Sequence, residues 1–210
     1  MTKTEVIFGT PIMVIDLPSN PDALTRIAEA SKEYHFKRAK DDAEFAARTG
    51  RVTISRPDLL DDLSKEDKSY LLGPINNAVR HFIGGGGLMD AAASNRKLAV
   101  RGFARYYPEG GRIVPHTHFD ADVVVSIYLQ SGGTQGAPAS DLILIDQTVR
   151  GYPHRAPFHR IPVRDGMAVI FPSYLMHETD PSPGERIIAG LEYKVIEHDM
   201  QKIFTPTERH

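Results

Sequence analysis

What most constrains this chain is the texture of its second half. From Leu98 to Val195, short β-branched and aromatic runs alternate with clusters of Gly, Pro, Ser and Asp. This pattern predicts strands at Leu98–Tyr107, Val123–Leu129, Leu142–Ile145, Met167–Phe171 and Ile187–Val195, with loops at Pro108–Gly111, Ser131–Ser140 and Asp180–Gly184. Several short strands at such spacing predict an antiparallel sandwich or barrel. The first half has a different period. Val6–Ile15 is β-rich around Pro11, as in a strand at a sheet edge or broken there. Asn20-Pro21-Asp22 then starts a helix carrying Leu24, Ile27, Ala28 and Ala30. Ser64 and Asp67 resemble a capping box ahead of an apolar stripe, Leu71, Leu72, Ile75, Val79 and Phe82, which stops at Gly84-Gly85-Gly86-Gly87. Between these helices, the charged and weakly periodic Phe36–Pro57 reads as a loop, suited to serve as a lid. The glycine run lacks the Gly-Lys-Ser/Thr ending of a phosphate loop and reads as a hinge. The expected architecture is mainly β with flanking helices: a single domain over 1–210, with a strand and helices over 1–97 outside a barrel core over 98–197.

Composition narrows the chemistry. The chain has no Cys, which excludes disulfides, thiolate zinc sites, iron–sulfur clusters and cysteine nucleophiles. Any metal would be held by His and carboxylates. A formal net charge of −2 over 210 residues gives no sign of a nucleic-acid partner or an anionic membrane surface. No apolar run approaches the ~18–20 residues of a membrane span, and Met1-Thr2-Lys3-Thr4-Glu5 does not open a signal peptide, so a cytoplasmic location is expected. A small-molecule or peptide substrate remains, and a homodimer is left open.

Among nine histidines, His116 and His118 stand two apart in Val114-Pro115-His116-Thr117-His118-Phe119-Asp120. In extended chain they project to one face, and Asp120 joins them if the extension persists. A metal bound by nitrogen and oxygen needs at least one further ligand, usually from a distant strand, and His177 is the candidate. His35, His81, His154, His159, His198 and His210 read as ordinary surface or hydrogen-bonded residues.

The run Asp165-Gly166 … Phe171-Pro172-Ser173 … His177 … Pro181 … Gly184-Glu185-Arg186 resembles the ending of iron(II)/2-oxoglutarate-dependent oxygenases. Tyr107 to His116 is similar to the first ligand strand of prolyl 4-hydroxylase-like members, and Phe8-Gly9-Thr10-Pro11-Ile12 resembles the start of a bacterial and phage branch whose first motif is His-x-His. The resemblance implies a double-stranded β-helix of the jelly-roll or cupin-like kind. It also implies Fe(II) and 2-oxoglutarate, and oxidative decarboxylation of that cosubstrate coupled to hydroxylation of an unidentified substrate. It makes His116 and His177 iron ligands and Arg186 the partner of the distal carboxylate of 2-oxoglutarate, a role suited to a rigid guanidinium fork.

Two departures from the family pattern matter. The usual carboxylate two residues after the first His is His118 here, so the ligands read as His116, His118 and His177, with Asp120 the rival for the middle place. The Tyr and Ser that often assist 2-oxoglutarate are Ile113 and Ile188, and Tyr107 and Tyr128 are the expected substitutes. No catalytic residue beyond the metal ligands is implied. The loop Gly151–Pro162, with His154, Arg155, His159 and Arg160, is placed to line the mouth. A cupin is the alternative: Gly110, His116, His118 and Asp122, then Gly166, Pro172 and His177, resemble its two motifs, giving four metal ligands and no use for 2-oxoglutarate or Arg186. A barrel without catalysis is the third reading.

Overall fold

The computed structural model describes residues 2–7, 9–49, 58–85, 95–145 and 158–196. The first β-rich run folds as a hairpin, β1 (Thr2–Ile7) and β2 (Thr10–Asp16). The break falls at Gly9, in a left-handed conformation at φ 77°, rather than at Pro11. Of the two hairpin strands β1 alone is at a sheet edge, because β2 pairs on its other side with β7. Asn20 accepts the Ala23 amide at 3.1 Å and starts α1 (Pro21–Thr49).

That helix corrects the expected loop at Phe36–Pro57: residues 36–49 continue α1, and residues 50–57 lie outside the described residues. The weak apolar period there hid a helix supported by i,i+4 ion pairs on two sides, Arg38–Asp42 and Lys40–Glu44. A short α2 (Leu59–Asp62) follows. Then α3 (Lys65–Gly85) opens on the expected cap, the Asp67 amide donating to Ser64 Oγ at 3.0 Å. Gly84 and Gly85 end α3 itself, and the rest of the glycine run lies outside the described residues.

The β-half consists of β3 (Lys97–Tyr107), β4 (Val123–Gln130), β5 (Leu142–Ile145), β6 (Phe158–Ile161), β7 (Met167–Pro172), β8 (Met176–Thr179) and β9 (Arg186–Ile196). Two four-residue strands escaped the sequence pattern. β6 lies within the expected loop Gly151–Pro162, and β8 places His177 on a strand of its own. All pairings are antiparallel: a six-stranded sheet in the order β1-β2-β7-β4-β9-β3 faces a three-stranded sheet, β6-β5-β8.

Period-two alternation divides the large sheet into two faces. Val123, Val125 and Ile127 of β4 and Ile187, Ala189, Leu191 and Tyr193 of β9 point outward and pack with Ile27 of α1 and Leu71, Ile75, Val79 and Phe82 of α3. Val124 and Tyr128 of β4, Val169 and Phe171 of β7 and Ile188 of β9 point inward and pack with Leu142 and Leu144 of the small sheet. The helices therefore cover the outer face and leave the space between the sheets for a site. Among the described residues no helix is long and apolar enough to cross a membrane.

Candidate metal centre

The His116–His118 segment is held by the small sheet, not by a ladder of its own. From Gly110 to His118 the chain runs antiparallel to the stretch containing β8. Gly110 N donates to Ser182 O, Thr179 N to Ile113 O, and His118 N to Ser173 O, while His116 and His177 exchange backbone hydrogen bonds at 3.1 Å each way. That exchange sets His116 directly opposite His177. The ring centroids lie 4.2 Å apart for His116 and His177, 5.0 Å for His116 and His118, and 5.3 Å for His118 and His177, and one potential ligand atom from each ring falls within 4.8 Å of the other two.

Each imidazole has one nitrogen committed. His116 Nδ1 lies 2.9 Å from Val114 O, His177 Nδ1 3.0 Å from Leu175 O, and His118 Nδ1 2.7 Å from Glu192 Oε1. A carbonyl or carboxylate oxygen only accepts, so each Nδ1 must carry the hydrogen, which leaves each Nε2 a lone pair in the neutral ring. Burial holds the His116 and His177 rings neutral. It pushes His177, 2% exposed, down to about 3, helped by the neighbouring His116, and lowers His116 as well. Three imidazoles with committed Nδ1 atoms and Nε2 atoms left for a ligand are a donor set that fits a divalent metal ion.

Glu192 was not singled out from the sequence. Burial alone would raise its pKa, yet hydrogen bonds from His118 and Arg101 outweigh that and hold it below the usual carboxylate range. The signal was its parity with Arg186: residues 186, 188, 190 and 192 all face inward on β9. Register with β3 sets Tyr107 opposite Arg186, Arg105 opposite Ile188, Phe103 opposite Gly190 and Arg101 opposite Glu192. Gly190 is required there, because a Cβ would fall within the Phe103 ring, which stacks on His118 at 5.8 Å.

At the other end of that row Arg186 is fully buried. Its Nε donates to Ser131 O at 3.2 Å and Nη2 reaches Ser140 O at 3.5 Å, but Nη1 has no hydrogen-bond partner. Tyr128, equally buried, has an unpartnered hydroxyl, and its pKa is raised by burial. Tyr107 is raised by burial too and, like Tyr128, feels the charge of Arg186. A buried guanidinium nitrogen and a buried phenol, both orphaned, fit the terminal carboxylate of a 2-oxo acid. Both ends of the Ser131–Ser140 loop thus lie against this arginine.

Other candidates fall elsewhere. Asp120 is 82% exposed with its carboxylate 3.8 Å from Arg101, away from the imidazole cluster. Asp122, the fourth ligand of the cupin alternative, accepts the Val195 amide at 2.8 Å and lies 3.5 Å from Lys194 Nζ. His159 sits 3.7 Å from Glu5, and Arg160 2.5 Å from Asp180, so both are held in surface pairs; His154 and Arg155 lie outside the described residues. The histidines open into a pocket of about 380 Å³ walled by Phe103, Ile113 and Ile188 and roofed by Tyr34, Arg38 and Asp42 of α1. A larger hollow of about 780 Å³ beside the β2–α1 link contains no histidine, so volume alone does not mark the site.

No family model matches the sequence, and no curated protein matches it. Solved structures do. The chain is similar to a Pseudomonas putida prolyl-4-hydroxylase, with TM-score 0.52 and 19% identity over 89% of this chain and 88% of that one. It is similar to a prolyl hydroxylase from Trichoplax adhaerens solved with a hypoxia inducible factor peptide fragment, at TM-score 0.52 and 16% identity over 88% and 83%. It is also similar to HygX from Streptomyces hygroscopicus with nickel and 2-oxoglutarate bound, at TM-score 0.54 and 13% identity over 89% and 83%. The fold is thus the double-stranded β-helix of the 2-oxoglutarate/iron(II) oxygenases, as the sequence resemblance implied.

Proposed function

We propose that the chain is a single-domain, non-haem iron(II)- and 2-oxoglutarate-dependent dioxygenase that hydroxylates its substrate. The observation that carries this reading is the coincidence, between the two sheets, of three imidazoles with committed Nδ1 atoms and, on the same inward face, a buried arginine with an unpartnered Nη1. His116, His118 and His177 would hold the metal through Nε2, and Arg186, with Tyr128 and Tyr107, would hold the distal carboxylate of 2-oxoglutarate. Iron(II), with oxygen and the cosubstrate, supplies an oxidant strong enough to break a C–H bond. The chain's part is positional. Val114 O, Leu175 O and Glu192 fix the three rings, the β9 row sets cosubstrate against metal, and Phe171, 4.8 Å from the His177 ring, shields that ring from water. Three neutral ligands leave the ion its full double charge, and the Glu192 carboxylate offsets part of it through His118. The four-ligand cupin is disfavoured because Asp122 is engaged with β9 and Arg186 would be left buried without use.

The test is anaerobic titration of the iron-loaded protein with 2-oxoglutarate, read by the weak visible charge-transfer band of the chelated cosubstrate. The band should form in wild type and weaken in Arg186→Ala while iron content holds. No band in wild type would sink the reading. Iron content should fall in His118→Ala and hold in Asp120→Ala; the reverse would move the third ligand to Asp120.

A further inference from the structure

The roof of the pocket carries a charge that neither the imidazoles nor the Arg186 pocket uses. Tyr34, Arg38 and Asp42 recur every four residues along α1, hence on one face, and all three border the pocket that holds the histidines. Arg38 is only 8% exposed. Its Nη2 lies 2.9 Å from Asp42 Oδ1, but its Nη1 is buried with no hydrogen-bond partner. A buried, charged donor without an acceptor is costly in an empty pocket and satisfied in one that receives an anion. A second cation lines the same pocket. Arg105 projects inward from β3, its guanidinium 5.7 Å from the Phe103 ring centroid, close enough for its charge to be felt at His116 and Tyr107.

Two carboxylates share the lining. Glu192 is taken by His118 and Arg101, and Asp42 Oδ1 lies 2.9 Å from Arg38 Nη2 but leaves Nη1 without an acceptor, while a divalent ion on the imidazoles would add positive charge. A volume of about 380 Å³ suits a small molecule or a single side chain. Phe103 and Tyr34 add aromatic ring surface to the lining.

We propose that the substrate of this site carries an oxyanion, a carboxylate or a phosphate, bound by Arg38 and Arg105, with its apolar part lying against the aromatic wall. That the bound anion is a substrate rests on the oxygenase reading; the oxyanion site itself rests on Arg38 and Arg105. Ligand-observed NMR on nickel-loaded protein saturated with 2-oxoglutarate tests it. The probes are hexanoate, phenylacetate, 3-phenylpropanoate, butyl phosphate and phenyl phosphate, with their matching amides and alcohols. Anions of at least one class should bind at least tenfold more tightly than their neutral counterparts, and Arg38→Gln and the exposed Arg105→Gln should each lose tenfold or more, about 1.4 kcal/mol. The class retained by wild type tells carboxylate from phosphate. Neutral probes binding equally well, anion binding unchanged in both variants, or no anion binding at all overturns the proposal. Loss of 2-oxoglutarate binding in Arg38→Gln but not in Arg186→Ala also overturns it, because Arg38 would then anchor the cosubstrate. Arg38-dependent anion binding to metal-free protein that never forms the 2-oxoglutarate complex would defeat the oxygenase reading and leave the oxyanion site standing.

Discussion

Removing the Glu192 carboxylate should weaken metal binding without touching a ligand atom. Its side chain is 10% exposed and receives the His118 Nδ1 hydrogen at 2.7 Å, while Arg101 Nε donates to its other oxygen. In Glu192→Ala, His118 loses the group that fixes its tautomer and ring plane. Losses of this kind cost about 10–100-fold in metal affinity, or roughly 1.4–2.7 kcal/mol. Arg101 also loses its partner, but its side chain is 43% exposed and water replaces much of the interaction, so the cost to folding should be smaller than the cost to metal binding. Glu192→Gln keeps an amide oxygen able to accept from Nδ1 and removes only the charge, so it should fall between wild type and Ala. The assay is competition for Co(II) against a chromophoric chelator at fixed pH, repeated in a His118→Ala background, where Glu192→Ala should have little further effect. Affinity within twofold of wild type in Glu192→Ala, or an undiminished loss in the double variant, would refute the reasoning.

Three further outcomes follow from the same structure. The metal-free protein should lose stability on acidification: the folded His177 value, about 3, lies below the unfolded 6.5, so the unfolded chain binds more protons between them. Stability is thus fully present above about pH 6.5 and falls as pH drops toward 3, by up to about 1.4 kcal/mol per pH unit for this proton; urea melts at pH 7.5 and 5.5 should show the fall, and a His177→Phe variant should show less of it. Gly190→Ala should destabilise by about 1–3 kcal/mol through overlap with Phe103, with partial recovery on adding Phe103→Leu, measured by denaturant midpoints. Asp58→Ala should cost about 1–2 kcal/mol in the same assay, because one oxygen, Oδ1, accepts both the Leu60 amide at 2.9 Å and the Gly102 amide on β3 at 2.7 Å.

The sequence was most informative where a local pattern and the topology pointed the same way. His116 and His118 share a side because they are two apart in extended chain, and β8 brings His177 opposite the first of them. Arg186 was legible through the family resemblance, and Tyr107 and Tyr128 through their strands near the site; the β3–β9 register sets Tyr107 opposite Arg186, whose charge reaches both phenols. What was missed had no periodic signature. Strands β6 and β8 are four residues long and at least half polar, FHRI and MHET, whereas the equally short β5 showed through its wholly apolar LILI. Residues 36–49 of α1 carry many charges, and what made them helical was ion pairing and a tertiary role over the site, invisible to an apolar-period argument. Glu192 was legible only after the inward parity of β9 was known. Asp120, reasonable by spacing, turns out to solvent because the chain leaves its extended path after His118.

The inward row of β9 makes fold and chemistry a single variable. Arg186 and Glu192 are six residues apart on one rigid strand, about 20 Å end to end, so the distance from the arginine pocket to the ring-orienting carboxylate is set by strand rise and not by any loop. A slip of one residue in the pairing of β9 with β3 and β4 would turn both outward and bring Ile187, Leu191 and Tyr193 into the polar interior. Such a chain has no misregistered form that keeps half of its site. Surface loops can therefore drift in sequence to suit new substrates while the spacing between the two ends of the pocket is inherited intact.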